Sequence, residues 1–312
     1  MNFFRSRLGR SAAAFAVVLT LPSCQPSPEA YALDGTPLYR PELSSEVLAE
    51  RAANLKQATA ARRADPGDAT NWIWEGRRKA YLGDYRGAIE IYTEAIERFP
   101  DEPRLYRHRG HRWITLRDFD RAIEDLSHAV TLIEGAEDVV EPDGLPNARG
   151  VPTSTLHTNV HYHLGLAEFL VGDYEAAVVE YKQCLEASKN PDMVCATTQW
   201  LYVTLRRLGR HHEAMELLAP ITQDMDIIEN HAYHRLLLAA RGLLSVDDLL
   251  AEVHQSVASG EGVQNATLAF GVANLLSFAG REDESTEVYE SIVAGDAWGA
   301  FGHIAAEVEL PH

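Results

Sequence analysis

Thirteen histidines and three cysteines are the side chains in this 312-residue sequence best suited to chemistry. His157, His161 and His163 fall close together, and His231 and His234 lie one helical turn apart with Glu229 just ahead of them. Two imidazoles on one helix face can share a metal ion when further ligands approach. Here no Cys-x-x-Cys, no His-Glu-x-x-His and no regular carboxylate spacing accompanies them. Packed or surface histidines are the expectation, and no metal or cofactor is implied. A Gly-x-Ser-x-Gly elbow and a phosphate-binding Gly-rich loop are absent as well, so no catalytic residue is assigned and non-enzymatic work is expected. One alternative stays open, a glycan or small-molecule site, enzymatic or not, formed by an inserted segment at 137–157 and the nearby His157, His161 and Tyr162.

Cys184 and Cys195 form an even pair and are a candidate disulfide, although Cys184 also stands where a small core residue would serve. The net charge is −18, which disfavours nucleic acid and anionic lipid headgroups as partners. Charge is unevenly spread. Residues 37–121 carry 16 Lys/Arg against 14 Asp/Glu, whereas residues 122–312 carry 9 against 30.

The N-terminus reads as an address. Arg5, Arg7 and Arg10 precede an apolar run from Ala12 to Leu21, too short to span a bilayer, and Leu21-Pro22-Ser23-Cys24 follows. That ending resembles the lipobox of bacterial lipoproteins, which implies a signal peptide over 1–24 and acylation of Cys24. With Gln25 behind the cysteine, the resemblance implies an outer-membrane anchor facing the periplasm. Residues 25–42, rich in proline, are expected to be an extended tether.

The elements that position the remaining residues repeat. Gly76, Ala88, Tyr92 and Ala95 recur as Gly110, Ala122, Leu126 and Ala129, and again as Gly165, Ala177, Tyr181 and Cys184. A turn separates the glycine from the alanine in each case: Leu82-Gly-Asp-Tyr85, Leu116-Arg-Asp-Phe119 and Val171-Gly-Asp-Tyr174. Antiparallel helices nest only where small residues let the backbones approach, and a turn glycine ends the first helix in a left-handed conformation. Strong copies span 69–102, 103–136 and 158–191, and weaker ones 195–224, 229–258 and 264–294, the fifth predicted from Gly242 lying 33 residues past Gly209. The third copy is delayed by an insert at 137–157. A helix over 44–63, capped by Ser44 or Ser45, and another over 297–309 are expected to close the two ends.

Trp72, Gly76, Gly83, Tyr85, Ala88, Tyr92, Ala95 and Pro100 resemble the tetratricopeptide signature. The resemblance implies an all-α, right-handed superhelical solenoid over 43–312, built from helix-turn-helix hairpins between capping helices. It also implies a protein or peptide partner held along a concave groove lined by first helices. The groove candidates are Trp74, Arg77 and Tyr81, then Arg104, Arg107 and His111, then Tyr162 and Phe169, then Gln199 and Arg206. The family's specialised carboxylate clamp is not reproduced, because Ile73 and His108 stand where Lys and Asn would be expected. The function expected on this basis is a lipid-anchored scaffold for protein–protein interaction in the cell envelope.

Overall fold

The computed structural model describes residues 27–257 and 263–311. The signal segment and Cys24 lie outside the described residues. Fourteen helices and one small hairpin are present among those described: β1 (Ala30–Tyr31), β2 (Pro37–Leu38), α1 (Ser45–Ala64), α2 (Ala69–Tyr81), α3 (Tyr85–Arg98), α4 (Pro103–Thr115), α5 (Phe119–Ile133), α6 (Leu156–Leu170), α7 (Tyr174–Ala187), α8 (Pro191–Arg207), α9 (His211–Leu217), α10 (His231–Ala240), α11 (Val246–Val257), α12 (Val263–Phe278), α13 (Glu282–Val293) and α14 (Phe301–Glu309). The architecture is an all-α solenoid of antiparallel hairpins, α2–α3 to α12–α13, with α1 at one end and α14 at the other.

Local chemistry sets the element ends. Ser44 caps α1, and Asp68, Asp84, Asp118 and Asp173 accept backbone N–H bonds at the starts of α2, α3, α5 and α7. The turn glycines Gly83, Gly172, Gly209, Gly242 and Gly280 all have positive φ, so the fifth hairpin carries the predicted turn even though its sequence is degraded. In the α4–α5 turn the same place is filled by Arg117, at φ 64°. The first-helix glycines fit larger partners than the alanines first paired with them. A Cβ on Gly76 would run into the Tyr92 ring, one on Gly110 would meet Leu126 at 2.7 Å, and one on Gly165 would meet Tyr181 at 3.0 Å.

Three segments depart from a plain open array. Residues 27–42 are not an extended tether. The β1–β2 hairpin docks on the first turn, where Glu29 is buried and accepts from the Arg86 amide (2.7 Å) and from Arg40 Nε (3.0 Å). Prolines shape this segment, and pairing across the Asp34-Gly35 turn satisfies its backbone. The insert, from Glu134 to Thr155, crosses back to α2. Helix α14 turns inward and lies among α4, α6, α8, α12 and α13.

That inward turn fills the expected concave groove. Phe301 sits 5.0 Å from the His111 ring and 5.5 Å from His163. Glu309 meets Arg207 at 2.9 Å, and Arg117 donates to both oxygens of Glu307 as well as to the Trp298 carbonyl (2.9 Å). Ile304, Ala305 and Ala306 are fully buried. The expected open trough is therefore closed by the chain's own C-terminal helix, because a strongly curled array leaves apolar first-helix faces that this helix can cover.

Candidate functional site

Helices α2 and α4 hold the basic and aromatic candidates. On α2, Trp74, Arg77 and Tyr81 share one face at i, i+3 and i+7. Two guanidiniums approach the Trp74 ring, Arg77 at 4.4 Å and Arg78 at 4.9 Å from its centroid. Arg77 donates to the Tyr81 hydroxyl (3.3 Å) and to the Pro142 carbonyl (2.9 Å), and Arg78 donates to the Gly144 carbonyl (2.9 Å). This cationic face is thus roofed in part by the insert. Gly144 packs closely there, and a Cβ would displace the Tyr81 hydroxyl and the Arg77 guanidinium.

The insert is ordered by its own polar anchors. Glu141 is buried, pairs with Arg107 Nη2 at 2.8 Å and accepts from Asn159 Nδ2 at 2.5 Å. Val140 and Thr155 form an antiparallel bridge. Further along, Thr153 bonds Glu229, the Thr153 carbonyl accepts from Asn190 Nδ2 (2.6 Å), and Arg149 grips Asp226 with two bonds of 2.8 Å. Asp192, buried at the start of α8, accepts from the amides of Ile228, Glu229 and Asn230 and so fixes the far abutment. Between these anchors the insert turns Val139, Val140, Leu145 and Val151 outward. They are four of the eleven large apolar side chains exposed among the described residues.

The other expected groove residues are placed differently. Arg104 is held by Glu102 through two bonds of 2.7 Å. Arg107 is buried against Glu141, and the His111 ring packs tilted against Phe301 of α14. Tyr162 is buried with its hydroxyl 3.0 Å from that of Tyr233. Phe169 is buried against Trp200, 5.3 Å between centroids, and Gln199 is buried near the same ring. Arg206 lies over Phe278 at 4.4 Å and donates to the Tyr202 hydroxyl. Of the ten, only Trp74, Arg77 and Tyr81 form one half-exposed cluster. Sequence reasoning missed Arg78, Glu141 and the outward valines of the insert. Their one signal was the insert itself, an acidic, proline-punctuated stretch that still contains a Val-Val pair.

Beside Gln199, Trp200, Tyr233, Phe270 and Gly302 the cavity is about 10 Å³, a water at most. The histidines singled out for chemistry point apart: His161 Nδ1 lies 2.7 Å from Glu180, His163 Nδ1 2.5 Å from the Asn159 carbonyl, and His234 Nε2 2.7 Å from the Thr222 carbonyl. His108 and His163 are buried, and loss of solvent, reinforced by Arg107, pushes both pKa values down, that of His163 to about 3. His111 is lowered by the same loss of solvent and then by Arg112. Among the described residues no group of three His, Cys, Asp or Glu is placed to hold a metal ion. Cys184 and Cys195 are both free and buried, so the candidate disulfide does not form. Cys184 instead bonds the Thr158 carbonyl and Thr197, the core role its place in the repeat predicted.

Structural likenesses to known proteins include the following three. One is to YrrB, described as a TPR protein with an unusual peptide-binding site, at 12% identity over 77% of this chain and 92% of that one, TM-score 0.43. Another is to PilW, described as a widely conserved type IV pilus biogenesis factor, at 16% identity over 80% and 90%, TM-score 0.44. The third is to a thermophilic TPR protein in Thermus thermophilus, at 21% identity over 62% and 93%, TM-score 0.42. Residues 158–191, the hairpin α6–α7, match the family model of the tetratricopeptide repeat, and the chain carries such a repeat there.

Proposed function

We propose that this chain is a protein-binding scaffold whose partner seats on the α2 face and the insert. The observation that carries this reading is the pairing of opposite characters on one rigid surface. Trp74, Arg77, Arg78 and Tyr81 supply a planar, cationic and aromatic platform. Beside it the tied insert displays exposed apolar side chains, Val140 62% and Leu145 56% accessible. Trp, Tyr and Arg are the residue types that dominate interface energetics, and apolar side chains held outward on an ordered loop are what a partner buries. Because the loop is pre-ordered by Glu141, Arg149 and Asp192, little conformational entropy is lost on binding.

The scaffold would be held at the cell envelope by acyl groups on Cys24, two or more chains giving stable attachment, most simply at the outer membrane with the solenoid facing the periplasm. The lipobox-like Leu21-Pro22-Ser23-Cys24 supports this placement. Photo-crosslinking from position 151, the exposed Val151 of the same insert, in native cells tests the binding reading. A discrete protein adduct is expected, lost in a Val140→Asp/Leu145→Asp variant of unchanged melting temperature. Adducts that persist in that variant would refute the proposed surface. Fractionation of a Cys24→Ser variant tests the anchor, with release from the membrane fraction expected.

A further inference from the structure

The second-helix layer of the solenoid is interrupted at its fourth hairpin. Helices α3, α5 and α7 run 14, 15 and 14 residues, whereas α9 runs only 7. Leu218 dives into the core after it and Pro220 follows, so the helix cannot continue. The turns that would have lain beside the C-terminal half of α7 are missing. What they leave is a trench of about 460 Å³, lined by Lys182, Leu185 and Glu186 of α7, Leu201 and Leu205 of α8, and Glu213, Glu216 and Leu217 of α9. That volume is within the range of small-ligand and side-chain pockets.

The trench has an apolar floor and an acidic rim, and its charges are unequally used. The Lys182 ammonium is taken by Glu213 at 2.6 Å, and Glu213 also accepts from Arg210. Among the described residues Glu186 has no cation paired with it, and Glu216 has only the exposed His212, at 3.4 Å. Val179, on the α7 face that also carries Lys182 and Glu186, and Met215 on α9 are large apolar side chains left exposed.

We propose that this trench is a second docking site, distinct from the α2–insert surface, for a partner segment of stated chemistry: a large apolar side chain flanked by Lys or Arg. The apolar side chain enters over Leu185, Leu201, Leu205 and Leu217. The flanking cation meets Glu186 and Glu216, whose carboxylates are the unspent charges at the rim. An acidic or wholly apolar segment is disfavoured, the first by like charge and the second by leaving two carboxylates partly desolvated without a counter-charge.

A phage-displayed library of random dodecapeptides panned on the full chain tests this, with enriched peptides synthesised and titrated by fluorescence anisotropy. The enriched set should pair Leu, Ile, Phe or Trp with Lys or Arg. Affinity should fall at least tenfold for Glu186→Lys/Glu216→Lys, fall less for Glu186→Gln/Glu216→Gln, and weaken at 0.5 M salt as screening requires, roughly a 4 Å Debye length there. The Val140→Asp/Leu145→Asp variant should bind these peptides unchanged, so failure at one surface is distinguishable from failure at the other. Basic-apolar peptides absent from the enriched set, or peptides whose affinity survives the charge reversal, would overturn the proposal.

Discussion

Arg117 occupies the turn position that glycine holds in the other five hairpins, and it does so with its backbone at φ 64°. A non-glycine residue in that conformation costs about 1–2 kcal/mol. The return is a guanidinium, 3% exposed, delivered to the carboxylate of Glu307, 2% exposed. Burial alone would raise the Glu307 pKa, but hydrogen bonds from His303 and Arg117 outweigh it and hold the carboxyl below its usual range. Arg117→Gly is therefore predicted to destabilise the fold despite relieving the backbone, because stranding a buried charge costs about 3–5 kcal/mol. Arg117→Gly combined with Glu307→Gln should recover much of that loss, and thermal melts of both variants beside the unaltered chain check it. Titration gives a second prediction. His108, His111 and His163 stay neutral in the fold, so stability is full above an unfolded pKa of about 6.5 and falls as pH drops below it. Glu168 behaves oppositely. Burial first, then Glu180 and Asp173, push its pKa up to about 8, so its contribution is full below about 4.5 and lost as pH rises through 8. Glu168→Gln should accordingly raise the melting temperature at pH 8 and leave it nearly unchanged at pH 4. At this scale the sequence was legible where a residue serves its own hairpin, as Cys184 and the turn glycines do. It was silent on Arg117, whose partner lies 190 residues away.

At the scale of elements, the insert and α9 show how a repeat is edited. The insert carries two ion pairs of opposite character. Glu141 meets Arg107 inside the protein, while Arg149 and Asp226 are 50% and 75% exposed. Glu141→Ala should strand the buried Arg107 guanidinium and cost about 3–5 kcal/mol. Arg149→Ala should cost about 0–1 kcal/mol even though its geometry is bidentate. Urea titrations distinguish the two. Helix positions were readable because amphipathic spacing, Asp caps and turn glycines are local signals: α1 begins after Ser44, and α10 ends before Gly242. The hairpin of β1 and β2 was not readable. Its prolines argue for extended chain, and only Glu29 meeting Arg86 and Arg40 turns that extended chain into a docked element.

On the scale of the whole molecule, the array curls until its ends meet. Trp298 stands edge-on to Tyr85 with centroids 5.4 Å apart and donates to the Tyr39 carbonyl at 2.8 Å, so the first hairpin, the second turn and the C-terminal segment converge. Trp200 and Phe270 stack at 5.3 Å, joining α8 to α12 across the interior. A repeat period encodes how each hairpin packs on the next, and not how far the stack curls or what covers its inner face. Four expected groove residues, Arg107, Tyr162, Phe169 and Gln199, were therefore correctly assigned to first helices and yet prove to be core. Truncation before Ala297 should uncover this aromatic interior, bind a hydrophobic dye and lower the melting temperature sharply. The most direct test of closure is amide hydrogen exchange resolved to peptides across α14. The account predicts that residues 301–309 exchange as slowly as α6 and α8, whereas exchange as fast as that of the surface helix α1 would show that the inner face stands open.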